Sequence, residues 1–431
     1  MNTLMTNFLI LCIFLALFLS LIPLQLIPAQ ALSIEWSEPV NISNTENSSA
    51  QPTVAGDEFG YVHVVWSEDV DGKPLNGSAS RAGKALIYTR GDGNNWSPPI
   101  DIIWTNNRAS FPSLVVDSSG VLHLIWSEQG ALYYSKSPNS SATSSKSWTE
   151  KTSITQTDLI DTPPQLLIDK NDTLHLVYAD WGNTGYPYQS TVYYTFLEDQ
   201  GEFWSSPIPI SPVFSDEEVS FQPQATIDPE GKLHVVWTQK SYVEGGGPVG
   251  VYYTHSDPVR KNFIPPKEIT GKSDAEGWMS AANIISSNQT ILITWVCGEL
   301  AHRCSVFSLN GGESWSGIQR LFGDLNGLGN RDALVLDGEN NIFWIALLRN
   351  PKAIYFSEWV DGRWVDPPIP FLLKPPTNTG HYPSISNSMG NRLSLVLVDQ
   401  DVGEIYYVEG KTKAVAKHHS KFLLKSLPQK I

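Results

Sequence analysis

The sequence predicts an all-β fold: seven four-stranded units closed into a ring, a seven-bladed β-propeller. Three observations predict it. A strand–turn–strand pattern recurs at near-constant spacing, each copy is followed by further strands, and the strand missing from the last copy stands ahead of the first. Composition agrees, with 41% hydrophobic and 11% aromatic residues, 32 Gly and 29 Pro in 431 residues, and short apolar runs in place of long amphipathic periods.

The recurrent unit reads Pro, a few strand residues, Asp, two turn residues, Gly, then a run such as LHLIW. It starts at Pro52, Pro112, Pro164, Pro223, Ala281, Asp332 and Pro383, in steps of 60, 52, 59, 58, 51 and 51 residues. Five positions on stand Asp57, Asp117, Asp169, Asp228 and Asp337, with Ser286 and Ser388 in the diverged copies. An Asp there accepts backbone N–H groups of the turn, and Gly60, Gly120 and Gly231 suit its φ > 0 end. The inner run should be a strand covered on both faces. His63, His123, His175 and His234 share one place in four units, so they are read as scaffold hydrogen-bonding groups held apart by the ring.

Third strands carry paired tyrosines, as in LYYSK from Leu132 and VYYTH from Val251. Fourth strands open on an aromatic: Trp96, Trp148, Trp204, Phe263, Trp315 and Trp364. No fourth strand follows the seventh hairpin. IEWSEPVNIS, 34–43, has the same Trp-x-x-Pro pattern and is predicted to close the last blade, which removes the open sheet edges.

Outside the ring, residues 1–31 carry no charge, run apolar from Phe8 to Ile27 and end in Ala29-Gln30-Ala31. This is a signal peptide cleaved after Ala31 or, at roughly 20 apolar residues, an uncleaved anchor that would hold the chain to a membrane. Residues 32–410 are assigned to the propeller and 411–431 to a basic, disordered tail. The tail holds six lysines and no acid, so residues 32–410 bear a net charge of −21 against −15 for the whole chain, which argues against nucleic acid as a partner. Cys297 and Cys304 flank a hairpin loop and are expected to form a disulfide, in keeping with a secreted, cell-surface or periplasmic monomer.

Alternating strands put the loops from second to third strands, and from each fourth strand into the next blade, at one mouth of the channel. Glu68 and Glu128 stand there as candidate catalytic acids, and Arg331 and His381 as candidates from other loops. Asp180, Trp181, Tyr186, Tyr188, Tyr242, Trp278, Arg108 and Tyr382 are the candidate ligand-binding residues, since aromatic faces beside acids suit sugars. No cofactor is expected. Asp69 and Asp71 have an Asp-x-Asp spacing suited to calcium, yet EDVDGKPLN completes no known loop with a bidentate acid.

SLNGGESWS, with Ser308, Asn310, Gly312 and Trp315, resembles the Asp-box of the sialidase-like BNR-repeat propellers, with weaker echoes from Thr89 and Ser357. The resemblance implies a propeller whose boxes close turns away from the active site. It also implies an Arg-Ile-Pro motif and a three-arginine carboxylate clamp. This chain has Ala50 in SAQPTV where the first of those arginines would fall, and only ten Arg in all, so sialic-acid hydrolysis is not expected. Two functions remain: an exported module binding an extracellular glycan or protein at the channel mouth, and a propeller-type glycoside hydrolase or polysaccharide lyase.

Overall fold

A computed structural model describes residues 34–69, 83–155, 162–180, 190–198, 203–212, 218–241, 248–259, 262–270, 279–327, 332–349, 351–372, 383–399 and 401–416. The chain divides into a short N-terminal unit, Met1–Glu35, and the body Trp36–Ile431. The leader lies outside the described residues. Among those residues, no helix is long and apolar enough to cross a membrane.

The body is the predicted seven-bladed propeller. Blade one is the antiparallel sheet Ser48–Gly56, Val62–Asp69, Ala85–Gly91 and Ile100–Trp104, and blades two to five repeat that order. The sixth adds two short strands, Asn326–Gly327 and Arg363–Trp364. The seventh comprises Ser384–Ser388, Arg392–Asp399 and Glu404–Thr412, and its outer edge is taken by the N-terminal segment: Val40 pairs with Tyr407 and Asn41 with Tyr406. Ring closure is therefore as the Trp-x-x-Pro pattern predicts. The last strand runs through Thr412, whose N–H donates to Asn391 O, and Val415 N–H donates to Glu339 Oε1. The remaining tail, 417–431, lies outside the described residues.

Second strands are buried along almost their whole length, as in Val62–Asp69 and Val121–Glu128, because neighbouring blades cover both faces. Trp66, Trp126, Trp237, Trp295 and Trp344 are fully enclosed and anchor the space between blades. The repeated His is now explained. In blades one to four its Nδ1 meets a third-strand tyrosine hydroxyl, Tyr88, Tyr134, Tyr194 or Tyr253, at 2.7–2.8 Å. Its Nε2 faces the turn aspartate, Asp57, Asp117, Asp169 or Asp228, at 3.1–3.4 Å. A carboxylate can only accept, so the tyrosine O–H donates to Nδ1, and in blades one, two and four Nε2–H donates to Asp. The other Asp oxygen caps the turn: Asp57 Oδ1 accepts from Phe59 and Tyr61, and Asp117 Oδ1 from Ser119 and Val121.

The same tyrosines join adjacent blades. Trp148, Trp204, Phe263 and Trp315 each set an edge against the tyrosine of the preceding blade, Tyr88, Tyr134, Tyr194 and Tyr253, with centroids 4.8–5.8 Å apart. Trp96 does this to Tyr407 of blade seven at 4.9 Å, across the closure. Each such pair contributes about 0.5–1.5 kcal/mol beyond its buried area. The recurrent aromatic at the head of the fourth strand is thus the residue that fastens one blade to the last.

Candidate site at the central channel

The first strands of successive blades lie side by side around the axis, with Ser384–Ser388 against Ser48–Gly56 completing the circuit. They enclose a channel of about 670 Å³, within the size range of small-ligand sites at roughly 300–1,000 Å³. Inner N–H groups of these strands have no further strand to pair with, so side chains of the preceding blade take them. Phe111 N–H donates to Gln51 Oε1 at 2.8 Å and Ala225 N–H to Gln165 Oε1 at 2.7 Å. Leu166 N–H donates to Ser113 Oγ at 3.1 Å, and Val54 N–H to Ser384 Oγ at 3.2 Å.

Near the mouth the first strands of blades one, two, four and five each carry a bulge at a residue with left-handed backbone: Gln51, Phe111, Gln222 and Ala281, φ 52–55°. Such conformations cost non-glycine residues about 1–3 kcal/mol and concentrate where side chains are re-aimed for function. The conserved spacing of the unit hides an irregularity at the channel rim.

Glu68 and Glu128 end the second strands of blades one and two, at the mouth end as expected. Both are turned into protein, with exposures of 2% and 5%. Glu68 Oε2 accepts from Trp66 Nε1 at 2.7 Å and from Ser49 Oγ at 2.8 Å. Glu128 Oε2 accepts from Lys151 Nζ at 2.6 Å, and that ammonium also lies 4.6 Å from the Tyr133 ring centroid. The rim position is right, but pleat alternation points each side chain at neighbours within its own blade.

Asp180 occupies the equivalent place in blade three, half-buried and opposite Thr191, and Asp69 is half-buried at the end of its strand. Arg108 is exposed between blades one and two. Beside it Trp104 is 61% exposed at the end of a fourth strand, an open aromatic face on the mouth side. Arg331, His381, Trp181, Tyr186, Tyr188, Tyr242, Trp278, Tyr382 and Asp71 lie outside the described residues. Among the described residues, no group of three or more His, Cys, Asp or Glu side chains could hold a metal ion. Cys297 and Cys304 are joined by a disulfide across the second hairpin of blade five, Cα atoms 5.9 Å apart.

Sequence reasoning missed the polar cluster at the junction of blades five and six. Arg303 Nε donates to both oxygens of Asp332 at 2.7 and 2.9 Å, its Nη1 to Ala301 O, and Trp344 Nε1 donates to Asp332 Oδ2 at 2.7 Å. Burial pushes the Asp332 carboxyl above the usual range, although Arg303 and Trp344 pull the other way. Gly327 passes so close that a Cβ there would meet the guanidinium at 2.9 Å. One signal was available: an acid at a unit's first position, where five other units have Pro. In place of the arginine that the resemblance implies, Ala50 is 1% exposed and offers no group to a ligand.

The stretch 308–316 closes the turn between third and fourth strands of blade five. Ser308 Oγ accepts Gly312 N–H at 2.9 Å, Asn310 Oδ1 accepts Ser314 N–H at 3.0 Å, and Trp315 turns inward onto Tyr253. It is a folding device on the face away from the mouth.

No protein-family model matches the chain, and no curated protein sequence matches it. Its fold is similar to that of solved structures at low identity. An ulvan lyase, described as a new family of polysaccharide lyase, aligns over 88% of this chain and 98% of its own at 12% identity, TM-score 0.59. A protein of unknown function from Dyadobacter fermentans aligns over 88% and 100% at 12% identity, TM-score 0.55. A Hadza microbial sialidase covers 76% of this chain and 74% of its own at 13% identity, TM-score 0.49. At these identities the likeness is one of fold: the chain is a seven-bladed β-propeller with the architecture of that lyase.

Proposed function

We propose that this protein is an exported β-propeller that recognises an extracellular glycan at the mouth of its central channel and does not cleave it. One observation carries the reading. A channel of about 670 Å³ is lined by aliphatic side chains, amides, hydroxyls and prolines, while the two acids best placed for catalysis are held within their own blades. Hydrolysis by a carboxyl pair needs both groups open to one bond, about 5–9 Å apart. Glu68, under Trp66 and Ser49, and Glu128, under Lys151, supply structure instead. Exposed Trp104 adds an aromatic face suited to the C–H side of a sugar ring. The uncharged, apolar leader and the disulfide support export, as a monomer with its acidic surface in solvent.

A second reading is a polysaccharide lyase or glycoside hydrolase. The fold match with the ulvan lyase favours it, with Arg331 and His381 as the residues to carry the chemistry. Screening the purified protein on a glycan array, followed by product analysis of each bound polysaccharide, separates the two. Binding with intact polymer supports the first; new reducing ends or unsaturated ends support the second. A protein partner retained where every glycan fails would remove both.

A further inference from the structure

Resting on the glycan reading above, we infer that the channel takes a neutral glycan, one without uronate or sulfate groups. The chemistry of the wall carries this. The first strands line it with amides and hydroxyls such as Thr226 and Asn387, with aliphatic side chains such as Ile284 and Leu334, and with the rings of Pro112 and Pro164. Among the described lining residues there is no Lys, Arg or His, and the one ionisable side chain is Asp332.

Asp332 does not make the wall a receptor for anions, and its counter-charge does not either. The Arg303 guanidinium lies behind the carboxylate, 2% exposed, with Nε on Asp332 and Nη1 on Ala301 O. It is not part of the lining. A carboxylate or sulfate entering this channel would lose hydration and meet, among the described lining residues, neutral groups and the Asp332 carboxylate with no cation to replace the lost water. A sugar hydroxyl exchanges one neutral hydrogen bond for another at nearly no net cost, and its C–H faces find the proline rings.

The long-range field acts in the same sense. Residues 32–410 carry a net charge of −21, so a polyanion is repelled on approach within the Debye length of about 8–10 Å. Protein sites that select carboxylates do so with bidentate arginines. Here the equivalent rim position is the buried Ala50.

The test is titration calorimetry of the full chain against neutral arabino-, xylo- and gluco-oligosaccharides and against oligogalacturonate and chondroitin sulfate oligosaccharides of matched length. It is run at about 50 and about 500 mM salt. A neutral oligosaccharide is expected to bind with a Kd that moves less than about twofold between the two salts, and the acidic ones at least about tenfold more weakly. Asn387→Lys, at a half-buried lining residue whose Oδ1 has no hydrogen-bond partner, sets a cation in the wall and should narrow that gap. Tighter binding of an acidic oligosaccharide by the native chain overturns the inference and leaves the glycan reading standing. An unchanged gap in Asn387→Lys overturns the placement in the channel. Binding of neither class overturns the glycan reading and this inference with it.

Discussion

Glu68 and Gln239 occupy the same place in blades one and four, and each accepts a hydrogen bond from a first-strand serine, Ser49 or Ser220. Glu68→Gln should therefore be mild, under about 1 kcal/mol, whereas Glu68→Ala leaves Trp66 Nε1 and Ser49 Oγ buried without their acceptor and should cost about 1–3 kcal/mol in urea unfolding. Glycan binding should be unchanged in Glu68→Gln; a large loss with stability intact would return Glu68 to the site. The Arg303 pair behaves differently. Asp332→Asn strands a buried guanidinium and should cost about 3–5 kcal/mol, while replacing both partners by apolar residues of similar volume recovers most of the loss. The acid at position 332 was visible in the sequence, but its partner on the preceding blade was not, because 29 residues and a change of blade separate them.

At the level of elements, the Tyr–His–Asp brace makes stability depend on pH. Burial holds His63, His123 and His234 below the ordinary value of 6.5, outweighing the attraction of their aspartates. Burial pushes Asp57, Asp117 and Asp228 up, but the histidine contacts and turn N–H groups prevail and leave them below 3.8. A histidine lowered in the fold binds its proton first in the unfolded chain. Stability is thus full above about pH 7 and falls as pH drops below 6.5, by up to about 1.4 kcal/mol per pH unit for each histidine. The aspartate contribution persists above 3.8 and is lost below it. Unfolding midpoints measured from pH 8 to pH 3 should show both phases, and the triple variant His63→Gln, His123→Gln and His234→Gln should flatten the first. In the fifth blade, reduction of the Cys297–Cys304 bridge, which closes a short loop, should cost about 2–3 kcal/mol in the chain-entropy account, read as a lower Tm under reductant. Strand order, turn aspartates and the disulfide were legible in the sequence; the brace was read only as scaffold, since its tyrosine lies on another strand.

The whole molecule depends on closure. Trp36 stacks on Phe371 of blade six with ring centroids 4.1 Å apart, and the segment behind it pairs with Glu404–Thr412. Trp36→Ala should cost about 2–3 kcal/mol, below the 3–5 of a fully buried tryptophan because Trp36 is only half-buried. Removing Trp36–Ser43 exposes the edge of Glu404–Thr412 and should produce concentration-dependent association, beyond that of the intact chain, in size-exclusion chromatography. By itself the sequence determined the seven-fold repeat, the four-stranded plan of the blades and the closing segment, because these follow from local periodicity, turn chemistry and the alternation of strand direction. Only the tertiary structure decided that Glu68 and Glu128 turn into their own blades, that the inner N–H groups are taken by the preceding blade, and that Asp332 is the one ionisable side chain among the described lining residues of the channel. The first depends on which strands of one blade face each acid, and the others on which side chain of one blade meets which backbone of the next, a relation between residues about 50–60 apart that no local pattern encodes.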